Sequence, residues 1–129
     1  MAWEVKYLPE NSIIEVIYSD FVTTSDVQQA VQERVSLQNE TNSNIVLVDT
    51  KKANNTDVSI VNLFDLPSKL FIDEKANRNT KMSLVLSGCE KVNDLCRFWE
   101  TACLNLGWRV KIFNDRDEAL AWLLSSEYQ

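Results

Sequence analysis

A chain of 129 residues, 45% hydrophobic and 25% charged, is long enough to bury one core without disulfides or structural metal and is composed like an ordinary globular domain. Thirteen basic against nineteen acidic residues give a formal charge of −6 and a pI of about 4.6, a balance that repels phosphate backbones and anionic lipid and so disfavours nucleic acid and membrane surfaces as partners. Histidine is absent and there are only two glycines, which removes the commonest general base and zinc ligand, both histidine-dependent nucleophile pairs, and glycine-rich phosphate loops.

In chain order, Trp3-Glu4-Val5-Lys6-Tyr7 alternates as a half-buried strand, Pro9–Ser12 turns, and Ile13–Tyr18 forms a second strand. The short connection makes the pair an antiparallel hairpin at one edge of the sheet, with Glu4, Lys6 and Glu15 discouraging edge pairing. Charges in Met1–Lys6 and the lack of any long apolar span predict no signal peptide and no membrane insertion, hence a cytoplasmic protein. Thr24-Ser25-Asp26 opens a helix with Ser25 and Gln28 in capping-box register and a stripe of Val27, Ala30, Val31 and Val35.

Asn39–Asn44 turns into Ile45-Val46-Leu47-Val48-Asp49, an apolar run that reads as a strand covered on both faces. A loop is expected over Thr50–Asn55. Asn55 or Thr56 then caps a helix that carries Asp57 in its first turn and Ile60, Leu63 and Phe64 on its inner face. Pro67 breaks it, Leu70, Phe71 and Ile72 read as a short helical piece, and 75–80 as a loop. Met82–Ser87 is the fourth strand, ended by Gly88. Val92, Leu95, Cys96, Trp99, Ala102, Cys103 and Leu106 then define the clearest helix, with Gly107 as its terminator. Trp108–Phe113 alternates as the fifth strand. Asn114-Asp115 cap a last helix, Asp115 and Glu118 standing in capping-box register before Ala119, Leu120, Trp122 and Leu123.

The order ββαβα(α)βαβα predicts a single α/β domain over 1–129. Its one mixed sheet has about five strands, an N-terminal antiparallel hairpin followed by parallel strands, and carries about four helices. This arrangement resembles the STAS, or anti-sigma-factor-antagonist, fold and in particular its SpoIIAA-like branch, which is grouped with SEC14-type lipid-binding domains. Thr23-Thr24-Ser25-Asp26 after the second strand is similar to that branch's capped-helix opening. Trp108–Phe113 followed by Asp117-Glu118-Ala119-Leu120-Ala121-Trp122-Leu123 is similar to its C-terminal strand and helix.

The resemblance implies a regulatory or protein-interaction module rather than an enzyme. In the antagonist family a strand ending Leu-Asp-Leu precedes an Asp-Ser pair whose serine accepts phosphate. Val48-Asp49-Thr50 matches the strand end and Asp57 the second aspartate, but Val58 stands at the acceptor position, with Thr56 and Ser59 as the neighbouring hydroxyls. The implied partner surface is Asp49, Asn54, Asn55, Thr56, Asp57 and Ser59, used without the usual phosphoserine switch. The alternative is a carrier of a small apolar ligand or lipid, lined by Phe64, Leu66, Leu70 and Phe71.

Other chemistry finds little footing. Asp49 at a strand's carboxyl end suits a ligand site, yet only one helix separates it from Asp20, and no acidic pair ends the preceding strand, which excludes a receiver-type phosphoacceptor. The plainer expectation is a carboxylate that accepts loop amides. Cysteines 89, 96 and 103 are odd in number and seven apart. Cys96 and Cys103 are expected to pack as small hydrophobes, while Cys89 at a helix start is the one candidate reactive thiol. Phe98 and Leu104 lie off the helical stripe and would join Leu66, Leu70, Phe71 and Ile72 in a patch or a second core layer. No cofactor or metal is expected, and the exposed Trp3–Tyr7 edge suits pairing of two copies.

Overall fold

The computed structural model describes residues 2–63 and 79–125. Pro67, the helical piece at Leu70–Ile72, most of the 75–80 loop and the carrier wall of Phe64, Leu66, Leu70 and Phe71 lie outside them.

Strands β1 (Trp3–Leu8) and β2 (Ile13–Val22) form the expected hairpin, antiparallel with Trp3 opposite Tyr18 and Leu8 opposite Ile13. Three further strands, β3 (Ile45–Thr56), β4 (Lys81–Val85) and β5 (Arg109–Phe113), continue the sheet in parallel, in the order β1-β2-β3-β4-β5. Because neighbouring parallel strands follow one another in sequence, right-handed crossovers put every connecting helix on the same face. Helices α1 (Thr24–Thr41) and α3 (Glu90–Asn105) occupy that face, with the single turn α2 (Ile60–Leu63) beside α3. The C-terminal helix α4 (Arg116–Leu124) packs on the opposite face, over β3, β4 and β5.

The strands' period-two alternation therefore feeds two unequal cores. Ile14, Val16, Tyr18, Val46, Val48, Met82, Leu84 and Val110 join Val31, Val35, Val92, Cys96 and Trp99 under α1 and α3. Ile13, Leu47 and Val85 join Ala119 and Leu123 of α4, with the partly buried Leu120 and Trp122 packed against them. Lys81 is buried at the start of β4, where its ammonium donates to the carbonyls of Trp122 at 2.7 Å and Ser125 at 3.0 Å, holding the C-terminal end of α4.

Three local readings need correction. The cap of α1 is Thr23, two residues before Ser25: its hydroxyl accepts from the Asp26 amide at 3.1 Å, and the Asp26 carboxylate accepts from the Thr23 amide at 2.9 Å. Ser25 instead receives the Gln29 side chain at 3.0 Å. Asp115 does cap α4, accepting from the Glu118 amide at 3.2 Å, and Gly107 ends α3 at φ +93.

The second correction concerns Thr50–Asn55, which is strand rather than loop. From Ser19 opposite Lys52 to Val22 opposite Thr56, the tails of β2 and β3 run on together, with register shifts at Ile17/Ser19 and Asp20/Phe21. Those bulges break the period of two, so the buried residues of the tail are Thr50, Ala53 and Thr56. Two threonines and an alanine three apart, they carry no period-two apolar strand signature. The third correction is Glu15. Because β2 is an interior strand, Glu15 guards no edge and is buried.

Candidate functional site

The residues expected to form one partner surface fall into two places. Asp49 lies mid-strand in β3 on the α4 face, half-buried. One carboxylate oxygen accepts the Lys51 amide at 2.8 Å, and the other stands 3.7 Å from Arg116 Nε. Expected to accept loop amides, the carboxylate accepts one backbone amide, and that amide belongs to the same strand. Arg116 makes its stronger contact with Glu15, at 2.7 Å, and that carboxylate holds the guanidinium pKa above its ordinary value. Lys6, Lys51 and Lys52 border the same mixed-charge recess.

Asn54, Asn55, Asp57 and Ser59 are exposed at the far end of β3 and on the turn into α2. Thr56 is 2% exposed and does not belong with them. Its hydroxyl donates to the Val22 carbonyl at 2.7 Å and accepts from the Val58 amide at 3.0 Å, tying the two strand tails together. Neither Asn55 nor Thr56 caps α2, which begins at Ile60. Val58, which the resemblance sets at the acceptor position, is buried. The pairing of β3 with β4 stops at Asp49 opposite Val85. Beyond it the Thr50 hydroxyl reaches back to the Val85 carbonyl at 2.6 Å, and among the described residues no strand lies along that edge of 51–56.

Between the sheet and helices α1 and α3 lies a cavity of about 90 Å³, walled by Val16, Val31, Val48, Met82, Leu84 and Trp99 and bounded near α2 by Val58 and Leu63. Five polar side chains line it from buried positions, Tyr18, Arg34, Thr50, Thr56 and Cys96. Arg34 Nη1 donates to Gln38 Oε1 at 2.7 Å, and Gln38 Nε2 in turn donates to Thr80 Oγ1 at 3.0 Å and the Ser43 carbonyl at 3.3 Å. Burial pushes the Cys96 thiol up to about 11 and the Cys103 thiol to about 12, so both stay protonated and pack as small hydrophobes. Cys89 is half-buried and caps α3 with no side-chain hydrogen bond to its first turn. Among the described residues no group of histidine, cysteine or carboxylate side chains could hold a metal ion, and no helix is long and apolar enough to cross a membrane.

Arg34 and Gln38 escape a reading for apolar stripes, although a signal for them exists. Val27, Ala30, Val31 and Val35 continue at 34 and 38 with the same spacing, so two polar residues occupy core positions of α1.

This architecture is a STAS-type, SpoIIAA-like α/β fold. An uncharacterised protein with a SpoIIAA-like fold from Shewanella loihica PV-4 superposes with a TM-score of 0.55 at 16% identity, over 95% of this chain and 92% of that one. The anti-sigma factor antagonist SpoIIAA in its unphosphorylated form also gives 0.55, at 10% identity, over 95% of this chain and 97% of that one. No protein-family model and no curated protein sequence matches the chain.

Proposed function

We propose that the chain is a non-enzymatic interaction module that docks a protein partner on the far end of β3 and the turn into α2, through Asn54, Asn55, Asp57 and Ser59. The observation that carries this reading is the projecting tail of β3. Its Lys51, Lys52, Asn54 and Asn55 side chains are exposed, and its edge beyond Asp49 lies beside no other strand among the described residues. Backbone groups on such an edge can bond an incoming extended segment while the flanking side chains select it. The likeness in fold to an anti-sigma factor antagonist supports a regulatory setting. The absence of histidine and of phosphate-binding glycines supports a role without catalysis.

Phosphorylation is not part of the proposed docking. Thr56 is closed off by its two hydrogen bonds, and Val58 replaces the acceptor. Affinity capture compares wild type with an Asn55→Lys/Asp57→Lys variant and with Glu10→Lys, on the exposed hairpin turn at the other end of the sheet. Partners that persist with Glu10→Lys and vanish with the double variant are expected; an unchanged partner set in the double variant refutes the surface.

A second reading, a carrier of a small apolar ligand, is favoured by the cavity of about 90 Å³ under α1 and α3. Native mass spectrometry of protein purified from cells should then show a bound small organic mass, and apo protein from several hosts counts against it.

A further inference from the structure

A guanidinium taken out of water is costly unless an anion or a full set of acceptors meets it. Arg34 is 2% exposed. Among the described residues it has one hydrogen-bond acceptor, the neutral Gln38 amide, and its Cζ stands 5.8 Å from the centroid of the Trp108 ring. The ion pairs among the described residues involve Arg97 and Arg116, and none of them includes Arg34. Burial lowers its pKa, as expected of a cation short of compensation. Tyr18 lines the same cavity, and its phenol makes no hydrogen bond among the described residues. Burial raises that phenol's pKa well above its ordinary value, so it keeps a proton to donate. Among the described residues, one positive charge without an ion-pair partner and one O–H without an acceptor thus border a space otherwise walled mainly by hydrocarbon.

We propose that this cavity binds a short aliphatic monocarboxylate, with its carboxylate on Arg34 and the Tyr18 phenol and its chain against Val31, Val48, Met82 and Leu84. The inference rests on the carrier reading and names its ligand class. Charge and shape select the class. A planar carboxylate fits the guanidinium fork, and a monoanion cancels the single buried charge, whereas a phosphate dianion would bring a second charge into an apolar space. Water alone is a poor occupant, because it needs two to four polar partners and most of the wall offers none. Volume selects the length. A cavity of about 150 Å³ holds benzene, so one of about 90 Å³ suits a ligand of roughly three to five carbons.

The test is an NMR titration of the full chain with butyrate and with 1-butanol at matched ionic strength, on wild type, Arg34→Met and Tyr18→Phe. Butyrate is expected to shift the amide signals of Val31, Val48 and Ala53 and to bind more tightly than the alcohol. Arg34→Met should weaken butyrate at least about tenfold and leave 1-butanol unchanged. Tyr18→Phe, which keeps the ring, should weaken butyrate a few-fold and gives a second measure should Arg34→Met fold poorly. If 1-butanol binds and butyrate does not, the carrier reading stands and the carboxylate assignment falls. If neither binds, both fall. Butyrate affinity equal to wild type in both variants also overturns the assignment.

Discussion

Cys96 and Cys103 sit one above the other on the inner face of α3, and burial holds both thiols far above the ordinary value of 9.0. In the unfolded chain they would ionise near pH 9, whereas in the folded protein they ionise only at about 11 and about 12. Between those values the unfolded state binds fewer protons, so stability falls as pH rises. The contribution is complete below about pH 9. At roughly pH 10.5 each thiol should subtract about 2 kcal/mol, and the raised Tyr18 phenol acts in the same direction at higher pH. Urea midpoints measured at increasing alkaline pH should therefore decline, less steeply in Cys96→Val. A midpoint that does not move between pH 8 and 10.5 contradicts the buried-thiol assignment. The same burial means that a thiol reagent at pH 8 should label Cys89 first in the folded chain.

The elements show where local chemistry decides a boundary. Thr23 and Asp26 exchange hydrogen bonds at the start of α1, satisfying two backbone amides that the helix leaves free. Thr23→Ala should lower stability by about 1 kcal/mol, while Ser25→Ala, at an exposed position one residue inside the helix, should stay within about 0.5 kcal/mol. Equal losses in paired urea melts would return the cap to Ser25. In the β2–β3 tail the backbone ladder and the Thr56 hydroxyl hold strand geometry against a polar sequence, Lys51-Lys52-Ala53-Asn54-Asn55, with weak strand preference. That tail is what lifts the proposed docking residues clear of the body of the sheet.

Across the whole molecule the two faces of the sheet are unequal. Among the described residues, α1, α2 and α3 lie on one face, and α4 alone covers β3–β5 on the other. Leu123 is the large apolar side chain that α4 buries against Ile13, Leu47 and Val85. Leu123→Ala should cost about 2–4 kcal/mol, and Leu124→Ala, on the exposed side, within about 0.5 kcal/mol. A small loss at Leu123 would mean that α4 contributes little to the fold. Where α4 ends its cover, Arg116 reaches across to Glu15 and Asp49, so charge occupies the part of the sheet that apolar cover leaves open.

Apolar periodicity in the sequence was enough to determine the hairpin, the parallel strands that follow it and the helices α1, α3 and α4; the SpoIIAA-like class of fold came from the resemblance of that order to a known family. Those elements bury regular stripes, and a stripe is a local pattern. The core packing expected of Cys96 and Cys103 was legible for the same reason, since both lie on one. Only the tertiary structure decided the course of residues 50–56, whose strand geometry comes from bulged pairing with β2, a contact between segments some thirty positions apart. It alone separated Asp49 from Asn54, Asn55, Asp57 and Ser59, and withdrew Thr56 from the surface. It alone brought Arg34 and Tyr18 to one cavity, because a charge becomes buried through what packs around it, and no pattern along the chain records which side chains those will be.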